Sequence, residues 1–135
     1  MKTLPTAGLL IISKNKLLLA YSNTKKAWYL PGGKVESGEA VIPALQREIK
    51  EELDLDLDSS RLRFYCHISA LAFGEVPVIQ MEQDCFLYPL EDQVPRATSE
   101  IGAIRYFSLE EYRLELQQVV GVLMVFQQLE QDALI

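Results

Sequence analysis

Apolar residues in the first part of the chain come in short runs broken by polar clusters, the pattern of strands and turns. Residues 8–21 read GLLIISKNKLLLAY, two apolar runs around Lys14-Asn15-Lys16, which predicts a strand pair joined by a tight polar turn. Another strand is predicted over residues 28–30, after which Pro31, Gly32 and Gly33 read as a stop to regular structure. From about residue 40 to 53 the period changes. At about 100° per residue, Ile42, Leu45, Ile49 and Leu53 form one stripe, with Glu48, Glu51 and Glu52 on a separate face. Ser37-Gly38 prepares the start of this helix, and Pro43 fits only in its first turn, so it begins near Val41. Segments 61–73, 78–90 and 101–109 have the length and the aromatic or β-branched content of three more strands. Ser108 and Glu111 have the spacing of a capping box. Helical periodicity then runs to about Gln131, with Val119, Val120, Val122, Leu123, Val125 and Phe126 read as its packing face, so the chain is expected to end in one helix. Residues 91–100, which include Pro95, read as a loop.

A chain of 135 residues, 49% hydrophobic and 24% charged, is expected to form a single globular domain over 1–135, of the α/β class, with a core that needs no disulfide. Cys66 and Cys85 lie in strand segments without framework spacing and read as inert core thiols in a reducing compartment. The apolar run at residues 9–12 is too short for a signal or membrane segment, so a cytoplasmic location is expected. Nineteen acidic against thirteen basic residues leave a formal charge of -6, which argues against a nucleic-acid polymer or an anionic membrane as partner. It leaves open an anionic small substrate, because bound cations invert the sign of an acidic pocket. The single histidine, His67, excludes a zinc site built from several imidazoles and reads as a strand residue.

Chemistry concentrates in residues 33–55, GKVESGEAVIPALQREIKEELDL. Like charges three and four residues apart repel by about a few tenths of a kcal/mol per pair. Glu48, Glu51 and Glu52 are therefore either a solvated surface or a site for a hard cation, Mg²⁺ or Mn²⁺, of the kind usually shared with substrate phosphates. Gly32 and Gly33 allow close backbone approach, so that a carbonyl can face such a metal.

From Gly33, five residues lead to Glu39 and seven more to Arg47-Glu48, followed by Ile49, Glu51-Glu52 and Leu55. This arrangement closely resembles the Nudix box, the signature of hydrolases that cleave a nucleoside diphosphate linked to another moiety. Asp54 is its one departure, standing where the box usually has glycine. The resemblance implies an α/β/α sandwich with a mixed sheet between helices. It also implies a metal site built from the Glu51 and Glu52 carboxylates and the Gly32 carbonyl. Glu48 joins them as a further ligand or as the base that takes a proton from water. Arg47 and Glu39 are then expected to position the box, and Glu100 to act as an additional carboxylate. Substrate contacts are expected from Trp28, Gly33 and Lys34. Trp28 and Tyr29 either stack on a base or pack in the core, and Lys25 and Lys26 either meet phosphates or lie exposed in a turn. The implied reaction is that of a MutT-like enzyme, hydrolysis of a nucleoside triphosphate to monophosphate and pyrophosphate by a monomer or homodimer. ADP-ribose or nucleotide-sugar hydrolysis is the alternative within the family; such subclasses often carry proline or tyrosine beyond the box, whereas residues 70–73 here are Ala-Leu-Ala-Phe. A catalytically silent nucleotide-binding module is a third reading, and such modules usually lose box glutamates.

Overall fold

A computed structural model describes residues 2–72 and 77–135. Strand β1 (Thr3–Leu10) lies inside the first of two sheets. β2 (Ile12–Ser13) and β3 (Lys16–Ser22) form a hairpin, with Lys14 and Asn15 at positive φ (52° and 63°), as a two-residue turn between right-twisted strands requires. The expected strand pair is thus present but shorter, because the apolar run divides: Leu10 ends β1 in the first sheet and Ile12 opens the second. β4 (Ala27–Tyr29) follows, then β5 (Gly32–Lys34). The two glycines expected to stop regular structure are therefore strand residues, paired antiparallel with Gly8 and Ala7 of β1.

Helix α1 (Val41–Leu53) ends in Asp54, which takes the left-handed conformation (φ 53°, ψ 40°) and donates its N–H to Lys50. A single 3₁₀ turn at Ser59–Arg61 leads into β6 (Arg63–Leu71), followed by β7 (Gln80–Leu87) and β8 (Ile101–Phe107). Phe73, invoked in the subclass argument, lies outside the described residues. The first sheet runs β5-β1-β7-β6, with β1 and β7 parallel and the other neighbours antiparallel, so it is mixed; β2, β3, β4 and β8 make the second, antiparallel sheet. Cys66 and Cys85 face each other across β6 and β7 as free thiols.

The Ser108–Glu111 capping box forms, opening the short helix α2 (Leu109–Tyr112). The expected continuous terminal helix does not follow. Buried Tyr112 donates its hydroxyl to the Trp28 carbonyl and accepts from the Val119 N–H. The Gln118 amide donates to the Arg113 and Glu115 carbonyls. These bonds take the place of helical continuation and leave Leu114 and Leu116 exposed, and α3 (Val120–Gln131) starts afresh with Val120, expected in the packing face, turned to solvent instead. α1 packs with Ala7, Leu9 and Phe86 on one face of the mixed sheet, and α3 with Ile68 and Cys85 on the other, which gives the α/β/α layering. Among the described residues no helix is long and apolar enough to cross a membrane.

Candidate active site

Leu45, Ile49 and Leu53 fix α1 on the sheet, and that orientation brings Glu48 and Glu52 against β5. Glu52 is not on an exposed face with Glu51, as the helical reading had it. It is only 8% exposed, and its Oε1 accepts the Gly32 N–H at 3.0 Å. Gly32 holds φ +139°, and a Cβ there would lie 2.0 Å from the Ala7 carbonyl oxygen, so only glycine fits between the paired strands. At Gly33 the constraint is a side chain: a Cβ would meet the Glu48 carboxylate at 2.4 Å. The two glycines let β5 lie against both β1 and the carboxylates of α1.

Arg47 ties this corner together. Its Nε and Nη2 form a fork with both oxygens of Glu39, each at 2.9 Å, while Nη1 reaches Glu48 Oε2 at 3.1 Å and Nη2 the Lys34 carbonyl at 3.0 Å. Glu39 also accepts the Glu36 N–H, and the Arg47 guanidinium, followed by that N–H, pulls its carboxyl down to about 2. The connection from β5 to α1 is thereby fastened to the helix, and Glu48 is held at one oxygen.

The electrostatics are those of crowded carboxylates. Burial pushes the Glu52 carboxyl up to about 8; the Gly32 N–H opposes this, and the charges of Glu48, Glu100 and Glu51 add to it. Burial also raises Glu48, against the pull of Arg47 and with Glu51 and Glu100 adding to the rise. Four carboxylates therefore share one field, and a cation would relieve both the burial and the repulsion. Among the described residues no group of three or more acidic, imidazole or thiol side chains is already arranged to hold a metal ion. An all-oxygen donor set of this kind fits a hard divalent cation that draws its other ligands from phosphate and water.

Beside these groups lies a cleft of about 200 Å³, lined by Glu52, Glu100 and Gly33 together with Tyr29, Met81 and Gln83. Of the residues expected from sequence, Glu51 and Lys34 are exposed and outside the lining, and Glu48 and Arg47 also lie outside it; Lys34 contributes its carbonyl to Arg47. Trp28 is directed elsewhere, packing edge-on against Tyr21 and Phe107 with ring centroids 5.3 and 5.0 Å away. Tyr29 is the aromatic residue at the cleft, and Lys25 rather than Lys26 reaches it. His67 lies on the sheet face between Asp84 (2.7 Å) and Glu82 (2.8 Å), outside the cleft lining. Sequence reasoning missed Met81 and Gln83. The available signal was phase: Gln83 is a polar residue between Met81 and Cys85 at the inward positions of β7, and it is 7% exposed.

A family model described as NUDIX domain matches residues 2–124. Nudix hydrolase 5 of Arabidopsis thaliana is 28% identical over 117 residues, which are 78% of this chain and 36% of that protein. The human protein named 8-oxo-dGDP phosphatase NUDT18 is 50% identical over 36 residues, 27% of this chain and 11% of that one. The chain thus spans about a third or less of the length of these relatives. The crystal structure of a MutT NUDIX hydrolase from Burkholderia pseudomallei superimposes with a TM-score of 0.77 at 23% identity, covering 95% of this chain and 98% of that one, and supports the fold. With the family model extending over most of its length, and the box residues gathered between β5 and α1, the chain belongs to the NUDIX domain family.

Proposed function

We propose that this chain is a divalent-metal-dependent hydrolase that converts a nucleoside triphosphate to monophosphate and pyrophosphate through attack of water on phosphorus. The observation that carries the reading is Glu52, a buried acid that lines the cleft with Glu100 and whose carboxyl is pushed up to about 8 by burial, with the charges of Glu48, Glu100 and Glu51 adding to the rise. Such an arrangement is costly unless a cation is part of the working state. Glu52 and Glu48, with Glu51 beside them, are the residues to hold Mg²⁺ or Mn²⁺. When bound, such an ion supplies neutralisation of phosphate oxygens and a more acidic water. Glu48, fixed by Arg47 and packed on Gly33, is suited to accept a proton from water, and Glu100 offers a second carboxylate at the cleft. Tyr29 and Met81 provide apolar surface for a planar ring, and Gln83 a donor and an acceptor for its edge. The cleft is smaller than the roughly 300–1,000 Å³ of sites that enclose a whole ligand, which suits a base with its phosphates outside, near the glutamates.

A second reading, hydrolysis of a nucleoside diphosphate, is favoured by the short match to the protein named 8-oxo-dGDP phosphatase. A panel of ordinary and oxidised nucleoside di- and triphosphates, ADP-ribose and a nucleotide sugar, assayed with Mg²⁺ and with chelator, separates the readings by product. Pyrophosphate from triphosphates is expected. Orthophosphate from diphosphates selects the second reading, and a ribose or sugar phosphate the family alternative. No turnover with Mg²⁺ or Mn²⁺ refutes the enzymatic assignment.

A further inference from the structure

We infer that Asp54 and Arg96 form a latch that positions Glu100 in the cleft, a role that rests on the hydrolase reading. An α-helix leaves its last carbonyls without intrahelical donors. In α1 the loop before β8 supplies them: the Arg96 N–H donates to Leu53 O at 2.9 Å, the Thr98 N–H to Glu52 O at 3.0 Å, and the Thr98 hydroxyl to Glu51 O. Three successive carbonyls at the end of the helix are thus bonded to residues 96–98. Two of them belong to residues whose side chains are the candidate cation ligands.

Asp54 adds a side-chain tie at the same place. A glycine would satisfy the left-handed exit turn equally well; aspartate contributes a carboxylate, which pairs with Arg96 Nη2 and with Lys50 Nζ at 3.2 Å. Farther along, Ser99 takes a positive φ of 59°, the Ile101 N–H donates to Thr98 O at 3.1 Å, and the Asn23 N–H donates to Glu100 O at 3.0 Å. Glu100 is therefore suspended between two anchors, the helix end through residues 96–98 and the end of β3 through Asn23, and it lines the cleft with Glu52. Arg96 is 70% exposed at its side chain, so the pair contributes little to global stability, and its effect falls on where the loop sits. Asp54 and Arg96 are positioning residues.

The test uses Asp54→Gly, Arg96→Gln and Arg96→Lys, each alone and combined with Glu100→Gln. Hydrogen exchange at the Arg96 and Thr98 amides is measured alongside Mg²⁺-dependent turnover of the best substrate. Expected results are faster exchange at both amides in Asp54→Gly and Arg96→Gln, a kcat lowered about tenfold with KM within about twofold, and partial recovery in Arg96→Lys. In the Glu100→Gln background the latch variants should lower kcat no further. Unchanged exchange in Asp54→Gly overturns the latch whether or not the wild type turns over nucleotide, so the two proposals fail separately. Wild-type kcat in Glu100→Gln, or losses that add in full to that of Glu100→Gln, overturn the positioning role.

Discussion

In Glu52→Gln the side chain keeps its size and its acceptor for the Gly32 N–H but can no longer ionise. The carboxyl lies at about 8 in the folded chain, chiefly through burial, against 4.5 when unfolded. Between those values the unfolded chain is ionised while the folded one holds its proton. The stability contributed by the neutral acid is therefore fully present below about 4.5 and is lost as pH rises through 8. At about 1.4 kcal/mol per pH unit, wild-type protein without metal bears a cost of under about 1 kcal/mol at pH 5, about 3 at pH 7 and about 5 at pH 9. Glutamine bears none of it, so the metal-free variant should be the more stable protein by those amounts.

Glu48, raised by burial and sharing the field of Glu52, contributes its own pH dependence in both proteins, and less of it in the variant, which lacks the Glu52 charge; the other large shifts do not obscure the difference. Glu39, Glu82 and Glu111 are held at about 2 by their partners and titrate below this window. His67, raised by Asp84 and then Glu82, loses stabilisation as pH rises above its ordinary range, but equally in both proteins. Urea denaturation of wild type and variant in chelator from pH 5 to 9, repeated with Mg²⁺, measures the effect. The midpoints should diverge with rising pH in chelator, Mg²⁺ should raise only the wild type, and the variant should lose at least about a hundredfold in turnover. A variant equal to or less stable than wild type at pH 9 in chelator would refute the reasoning, since Glu52 would then carry its charge without needing a cation.

Gly33→Ala places a Cβ 2.4 Å from the Glu48 carboxylate, a flexible side-chain end, so stability should change by under about 1 kcal/mol while turnover falls at least about tenfold. Gly32→Ala meets the Ala7 carbonyl instead and should destabilise by more than about 2 kcal/mol in the same denaturation assay; the reverse ranking would overturn the geometry of β5. Gln83→Leu keeps the cleft lined but removes its amide. KM should rise by different factors for different bases with kcat little changed, and a uniform factor across the panel would show that Gln83 does not read the base.

The elements written in local periodicity were legible: the apolar stripe of α1, the hairpin turn and the Ser108 cap all follow from residues within one or two turns of each other. The Arg47–Glu39 fork spans eight residues and came through the motif. What escaped depends on distant partners. Whether Trp28 or Tyr29 faces the cleft is a question of strand phase, and two adjacent aromatic residues give no phase of their own. It is set by the register that pairs Tyr29 with Ala20, another cleft residue, and Trp28 with Tyr21. Gln83 gains its place from the parallel pairing of β7 with β1, which sets its side chain against Gly8. Arg96 and Thr98 are more than forty residues from the carbonyls they serve.

Glu52 is the instructive case, because its burial could have been read from the chain. Seven residues at about 100° each return to within about 20° of the start, so Glu52 lies almost directly above Leu45, which is fully buried. Grouping it with Glu48 and Glu51 as a charged face followed residue type rather than angle. By angle, Glu51 leaves the stripe and is exposed, Glu48 stands at its edge against Gly33, and Glu52 falls within it. A carboxylate on the buried line of a helix opposes both packing and solvation, and a fold keeps it at that cost by hydrogen-bonding, neutralising or pairing it, as the Gly32 N–H and the raised carboxyl do here. The helical angle of one glutamate therefore already separates it from the solvated acids of the helix, before any second element of the site is placed.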